Sequence, residues 1–559
     1  MSALRLHFRD VNAWGKSGET YARGSAFRGS TLVSRVDLAE MFSGERTFAG
    51  VLGLLRQLNG FFAVVHRIQD TAFLAVDHVR GFPLFYGAAN GFFVSDDPHW
   101  IRREIGDEGV DEVSAQELLT AGFVTGCHTL SQHVKQVQPG EALAVEGFRE
   151  KPHINAVRYY EHVVGDFSQD AREKLLVRLD NSLHGPFKRL IQWANGRTIV
   201  IPLSGGCDSR LVALMLKRLG YTNLVAFSYG RPGNAESRIS EKVASSLDIL
   251  WVFIPYSNES WRKWRESQEW VEYCKMADGL SAVPHVQDWP AVWMLRERKL
   301  VPIDSVFVPG HLASHALESH AYPTSWQNSG VVEEKELFGS IWGGFYDLRD
   351  LSPREEEGFA RVKEKIRLLV GRSPPYTTQI ATEAYERWWW QSYEKFIINS
   401  VRVYDFWGYN WWLPLWDLEI ARFWSKVPIY HRLGKRIQRT HLRALESTII
   451  GRKVGHYNTD FIPIRLAKLL KGTPLYARAR GLHGWIQYDK HPLAWYGIIP
   501  RRTYNRLYTG EKMINYYLAL ETLHRNYPEW RNSDPSPKLV LLNHNSFESG
   551  LPDSGAGSR

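Results

Sequence analysis

The chain has 559 residues, too many for one hydrophobic core, and at roughly 150 residues per domain it reads as two to four domains. Hydrophobic residues make up 44% and charged residues 23%, which excludes a disordered, collagen-like or coiled-coil protein. The net charge of +9 is uneven: residues 431–510 hold 16 Lys/Arg against 3 Asp/Glu, a density that attracts phosphates, nucleic acid or an anionic membrane face, or is simply a solvated basic surface.

Three cysteines, Cys127, Cys207 and Cys274, form neither a disulfide framework nor a zinc-ligand spacing, and a reducing compartment fits. The first residues lack an apolar signal-peptide core, and no run of 18 or more apolar residues occurs, so a cytoplasmic protein is expected.

Residues 1 to about 150 read as β-rich. LNGFFAVVHR (58–67), TAFLAVDHV (71–79), PLFYGAANGFFVSDD (83–97) and EALAVEGF (141–148) are short apolar or alternating runs bounded by Gly and Asn. Residues 171–193 predict an amphipathic helix with Ser168 and Asp170 as candidate N-caps. In RTIVIPLSGGCDSRLVALMLKRLG (197–220) an apolar run enters a Gly-rich turn that opens a helix. Further apolar runs, NLVAFSYG (223–230) and DILWVFIPY (248–256), alternate with helical stretches and predict a parallel sheet. Residues 376–450 read as helical and very aromatic, and the last ten residues as a frayed tail.

The informative element is Leu203-Ser204-Gly205-Gly206-Cys207-Asp208-Ser209, where a strand ends and a helix starts. The glycines let the backbone approach a ligand, the helix start offers unpaired N–H groups, and Ser204 and Ser209 add hydroxyls. This is a phosphate cradle without the lysine of GxxxxGK[ST]. Its carboxylate, Asp208, beside bound phosphates implies an intervening Mg²⁺.

SGGCDS closely resembles the SGGxDS loop of ATP-pyrophosphatase enzymes, and residues 50–460 resemble an asparagine-synthetase-like protein. LNGFFAVV resembles that family's LNGxFAF strand, residues 77–86 its RDRxGxKPLYY, and residues 92–97 its FASE. Phe227-Ser228-Tyr229-Gly230 matches the TFSxGF strand of the adenine pocket, and Leu413-Pro414-Leu415-Trp416-Asp417 matches VPFLD. Lys435 through Leu442, then Gly451-Arg452-Lys453, match KxxLR…RxK.

The resemblance implies an N-terminal α+β amidohydrolase-like β-sandwich domain followed by an α/β parallel-sheet ATP-pyrophosphatase domain. The boundaries are 1–155 for a degenerate glutaminase-like domain, 170–475 for the synthetase domain, 476–545 for a helical extension and 546–559 for a disordered tail. It implies ATP and Mg²⁺ as cofactors, with a substrate carboxylate attacking the α-phosphate and an amine displacing AMP. Leu203, Ser204, Gly205, Gly206, Asp208, Ser209, Phe227, Ser228 and Gly310 would bind the nucleotide, Asp208 the metal, and Lys453 would offset charge as pyrophosphate leaves.

Three departures qualify the resemblance. The family's glutaminase cysteine is absent: residue 2 is Ser2, and the first cysteine is Cys127. The family's second loop, SGxGxDE, is replaced by SVFVPGHLASH (305–315), where Gly310, His311 and His320 resemble a GHxGDxxxGxH variant of surface-polysaccharide gene clusters, and Ser314 stands where an Asp is expected. His311, His315 and His320 are read as polar surface rather than a metal site. Asn410 falls on the catalytic Glu and Trp412 on the Arg of GLEARVPFLD; an amide cannot accept the proton of an attacking ammonium. Asp405 is either a substitute acid or a partner for Arg402 at i−3. The Trp388-Trp389-Trp390 and Trp411-Trp412 clusters read as core packing rather than sugar-stacking platforms.

The expected function is an ATP-dependent amide-forming ligase acting on a small or sugar carboxylate with ammonia or an amine, without its own glutaminase. The alternative is a catalytically degenerate ATP-binding relative. A tRNA partner is not expected; residues 431–510 offer either a peripheral membrane contact or a solvated basic surface.

Overall fold

The computed structural model describes residues 4–148, 152–311, 326, 330–348, 353–451, 486–507 and 513–532. Alternation builds the first two sheets. In strand Leu58–Ile68, Phe62 and Val64 face one side while Ala63 and Val65 face the other, and all four are buried. A strand with both faces covered needs a layer on each side. The seven-stranded antiparallel sheet carrying it runs His153–Arg158, Glu141–Glu146, Thr71–Val76, Leu58–Ile68, Thr20–Arg28, Trp14–Ser17, with Thr31–Ser34 also paired to Thr20–Arg28.

A four-stranded sheet packs on one face: Leu4, Phe92 and Val94 share a core with Ala63, Val65, Leu74 and Leu143. Helices Val36–Ser43 and Phe48–Leu55 cover the opposite face through Leu38, Phe42, Val51 and Leu55. Ile101 of helix Pro98–Glu104 packs on the outer face of the four-stranded sheet through Phe85 and Phe93. The result is four layers: helix, sheet, sheet, helix. The run predicted at 83–97 divides into strands Phe85–Ala89 and Gly91–Ser95, because Gly91 takes φ +137° and turns the chain back.

The second region is a five-stranded parallel sheet in the order Leu250–Pro255, Leu224–Gly230, Ile199–Pro202, Val306–Phe307, Asn410–Trp411. Strand order reverses at Ile199–Pro202, the kind of position where parallel sheets open a crevice at their carboxyl ends. The predicted helix spans Arg172–Ala194, but Ala171 occupies the N-cap position and makes no side-chain cap. Asp170 lies one residue too far out and instead pairs with Lys174 and Arg178, both at 2.6 Å. The aromatic stretch is a series of short helices interrupted by the edge strand Asn410–Trp411, not a continuous helical run. Its tryptophans are core: Trp388, Trp389, Trp390, Trp411 and Trp412 are all buried.

The two regions are joined by motif residues. Asn59 donates to Asp417 Oδ1 at 3.0 Å and accepts from Leu418 N, while Arg189 grips both oxygens of Asp417 at 2.7 Å. His78 Nε2 bonds Trp416 O at 2.7 Å, and Trp390 Nε1 donates to His78 O at 2.8 Å. The LNG and VPFLD-like segments therefore meet at a structural joint. No helix among the described residues is long and apolar enough to cross a membrane.

Candidate functional site

Strand Ile199–Pro202 ends in the predicted loop, and helix Asp208–Arg218 begins directly after it. Leu203 N continues the ladder to Phe227 O at 2.8 Å, so the loop leaves the sheet only at Ser204. The two serines set its shape. Ser209 Oγ accepts from Ser204 N at 3.1 Å, the two hydroxyl oxygens lie 3.2 Å apart, and Ser204 Oγ accepts from Gly206 N at 3.2 Å. Neither Gly205 nor Gly206 takes a positive φ. What Gly206 provides is space, since a Cβ there would sit 3.2 Å from Ser204 Oγ. The N-cap residue, Cys207, makes no side-chain cap, leaving the first-turn N–H groups without an intrahelical partner.

Gly310 touches the helix start. A Cβ on it would lie 2.2 Å from Ser209 N and 2.5 Å from Ser209 Cα, so only glycine fits. This close approach brings the loop after Val306–Phe307 against the loop after Ile199–Pro202.

A cavity of about 340 Å³ opens beside the serines, over the carboxyl ends of the two central strands. Ser204, Phe227, Ser228 and Tyr229 form its floor, and His491, Pro492 and Trp495 close it from above. Ser228 Oγ is buried and has no hydrogen-bond partner among the described residues, which leaves a donor and acceptor for whatever occupies the cavity. The covering segment is fixed firmly. Arg231 donates to His491 O, Trp261 Nε1 donates to Leu493 O at 2.8 Å, and Gly230, at φ +120°, lets Pro492 O approach where a Cβ would stand 2.6 Å away. Burial, reinforced by Arg231, lowers the His491 pKa to about 4, so the ring over the cavity is neutral.

Asp208 is already engaged. Lys435 Nζ bonds Oδ2 at 2.9 Å, and Gln438 Nε2 donates to Oδ1. Two residues on, Arg210 pairs with Glu446 at 2.6 Å with both side chains fully buried, tying the loop helix to helix Arg436–Ile450. Lys435, Gln438 and Glu446 were not singled out from the sequence; only the KxxLR likeness and the basic density pointed toward their segment.

The fit to Mg²⁺ is poor. Asp208 is the loop's one carboxylate and it holds an ammonium; among the described residues no group of three or more His, Cys, Asp or Glu is placed to hold a metal. These residues do not fit a protein-held magnesium ion.

The remaining predicted residues lie elsewhere. Asp405 is held by Arg402 at 2.7 Å, Arg23 at 3.6 Å and Trp411 Nε1 at 3.0 Å, and it lines a different cavity from Ser204. Asn410 is exposed on the edge strand. His311 lies within 3.3 Å of Ser400 Oγ. Ser2, Lys453, Ser314, His315, His320 and residues 452–485 of the basic segment lie outside the described residues.

No protein-family model matches the chain, and no curated protein matches it. Solved structures similar to part of it include an NH3-dependent NAD synthetase from Campylobacter jejuni subsp. jejuni NCTC 11168 in complex with the nitrate ion. That likeness has 16% identity and a TM-score of 0.19, covering 38% of this chain and 91% of that one. The glutamine phosphoribosylpyrophosphate amidotransferase of B. subtilis complexed with ADP and GMP has 12% identity and a TM-score of 0.18, covering 56% and 65%. The allosteric regulatory enzyme of purine biosynthesis has 12% identity and a TM-score of 0.17, covering 56% and 58%. The chain thus spans less than two thirds of the latter two, and likenesses at these TM-scores carry no argument about its chemistry.

Proposed function

We propose that this chain is an ATP-dependent amide-forming ligase of the asparagine-synthase type, with a degenerate glutaminase-like domain over 1–155, a synthetase domain over 170–475 and a helical extension over 476–545. The carrying observation is the uncapped start of helix Asp208–Arg218 beside a cavity holding an unpartnered Ser228 hydroxyl. A helix start with free N–H groups favours phosphate oxygens, and an aromatic-walled cavity next to it suits a base.

On this reading Ser204, Gly205, Gly206 and Ser209 hold the phosphates, and the base lies between Phe227–Tyr229 and the His491–Trp495 cover. A substrate carboxylate oxygen attacks the α-phosphorus and pyrophosphate leaves; an amine nitrogen then attacks the acyl carbon and AMP leaves. Lys453 offsets the charge of the departing pyrophosphate. The amine comes from outside, because the family's cysteine nucleophile is missing.

The test is pyrophosphate release across a panel of carboxylates that includes uronic acids and aspartate. Release is expected with at least one acid, slowed on the order of 10²–10³ by Lys453→Ala with little change in ATP affinity. Glutamine should yield no glutamate. The second reading, a non-catalytic ATP-binding relative, is favoured by the Lys435 ammonium on Asp208. ATP binding without pyrophosphate release from any acid would select it.

A further inference from the structure

A second cavity, of about 140 Å³, lies where the four-layer region meets the helices beyond the parallel sheet. It shares no lining residue with the loop cavity, and the inference drawn from it does not depend on ATP use. Most of its charges are spent on one another. Arg9 pairs with Asp97, Arg23 with Asp96, Arg402 with Asp405, and Asp278 with His99 and Asn526. Asp10, at the exposed mouth, caps Asn12 N.

Arg80 is the exception. It is 8% exposed, its Nε is buried with no hydrogen-bond partner, and no ion pair reaches its guanidinium among the described residues. Its group stacks over Phe85 at 5.2 Å. Across the cavity, Lys395, 7% exposed, bonds only to oxygens of amide groups, the nearest being Gly126 O at 2.8 Å. The carboxyl of Glu394 supplies no compensating bond: both its oxygens are buried without partners, and burial raises its pKa well above the usual range.

Arg80 also sits in a costly backbone conformation. Its φ is +57°, held there by Asp77, whose carboxylate accepts from Phe62 N, Val79 N and Gly81 N at 2.9–3.0 Å. The RDRxGxKPLYY motif has glycine at this place, the residue that takes such a φ without strain. The chain thus bears a strained backbone and an unpaired buried cation at one residue. A bound anion offsets both.

We propose that this cavity binds a compact monocarboxylate, its carboxylate gripped by the Arg80 guanidinium with Lys395 Nζ beside it. The size allows about four or five waters at roughly 30 Å³ each, the bulk of a two- or three-carbon acid. The planar guanidinium fork matches a carboxylate. Phe85, Phe123, Val124 and Phe396 give the carbon end an apolar wall. Lining aspartates oppose a dianion such as phosphate.

The experiment uses the full-length protein and titrates sodium acetate, propionate and lactate by calorimetry and thermal denaturation. Sodium chloride and sodium phosphate at matched ionic strength are the comparisons. Saturable binding of at least one acid is expected, at least tenfold weaker in Arg80→Gly. In chloride that variant should melt no lower than wild type, since glycine relieves the backbone. Arg80→Lys keeps the charge without the fork and should bind between the two. The proposal is overturned if wild type binds none of the acids saturably, if Arg80→Gly binds them equally, or if chloride or phosphate binds as well. It is also overturned if Arg80→Gly loses its fold and Glu394→Gln restores it, since Arg80 would then be a counter-ion for Glu394.

Discussion

The loop cavity and the Arg80 cavity handle charge in opposite ways. Beside the loop every charged group nearest the helix start has a partner within the chain: Asp208 has Lys435, and Arg210 has Glu446. What remains open there is hydroxyls, backbone N–H groups and aromatic faces, with one acid on the wall, Glu236, whose pKa burial raises. In the other cavity the neutral groups are walls, and what remains open is a cation. The first site is built to take a ligand that brings its own charge to dipoles; the second is built to take the charge itself.

The sharpest way to break this comparison is to unpair the loop helix. Arg210→Met leaves Glu446 buried without its partner and should cost about 3–5 kcal/mol in urea unfolding. Adding Glu446→Met should recover most of the loss, because a well-packed apolar pair replaces a buried ionic one at little net cost. A single-variant cost below about 1 kcal/mol would mean that the helix start is anchored by other contacts.

Next comes the joint on which the Arg80 cavity depends. His78 is 3% exposed, and burial pulls its pKa from the ordinary 6.5 to about 4. The folded state therefore refuses a proton that the unfolded chain accepts. The stability His78 contributes is complete above about pH 6.5 and is lost as the pH falls toward 4, by at most about 3 kcal/mol. His78→Gln keeps a donor for Trp416 O but cannot titrate. Relative to this variant, wild type should lose stability across that window, read as unfolding midpoints from pH 8 to pH 4. Parallel curves would show that His78 does not titrate in this way.

Gly310→Ala tests the close approach beside the loop. Its Cβ would meet Ser209 N at 2.2 Å, so overpacking of about 1–3 kcal/mol is expected, with loss of nucleotide binding as the helix start shifts. Retained nucleotide affinity in calorimetry would separate the loop from its neighbour.

The loop was legible in the sequence because its parts are contiguous: strand, serines, glycines and acid occupy one short stretch and imply one local geometry. The alternating strands at 58–68, 71–76 and 141–146 were legible for the same reason. Strand Thr20–Arg28 was not, because Arg23 interrupts one of its faces and Gly24 the other, and its pairing with Leu58–Ile68 is visible only in three dimensions. The His491–Trp495 cover joins the loop cavity from more than 250 residues away, so no spacing announces it. The Arg80 cavity is assembled from segments between Arg9 and Asp405. Asn59 and Asp417 were marked as motif residues, yet what they build is a hydrogen-bonded joint, a role that residue types alone do not distinguish from chemistry.

The smallest expected effect decides what Asp208 is for. Its pairing with Lys435 is largely shielded, with side chains 16% and 14% exposed, and a charge-assisted bond of this kind contributes about 1.5–3 kcal/mol at most, toward the low end at a cavity edge that water reaches. Asp208→Asn and Lys435→Met should therefore each destabilise the protein by about 1 kcal/mol, and the double variant by less than their sum, because each removes the same bond. Their nucleotide affinities should diverge. If the pair only shapes the helix start, both variants weaken ATP binding alike. If nucleotide frees Lys435 to meet a phosphate, Lys435→Met weakens ATP binding more than Asp208→Asn, which releases the ammonium in advance and should bind ATP at least as tightly as wild type in the absence of added magnesium. A calorimetric comparison of the two variants, run with and without Mg²⁺, distinguishes a structural pair from one that opens when the ligand arrives. Strict dependence of wild-type binding on Mg²⁺, abolished in Asp208→Asn, would instead restore the carboxylate to the metal-ligand role expected from the sequence and show that Lys435 leaves it when the nucleotide enters.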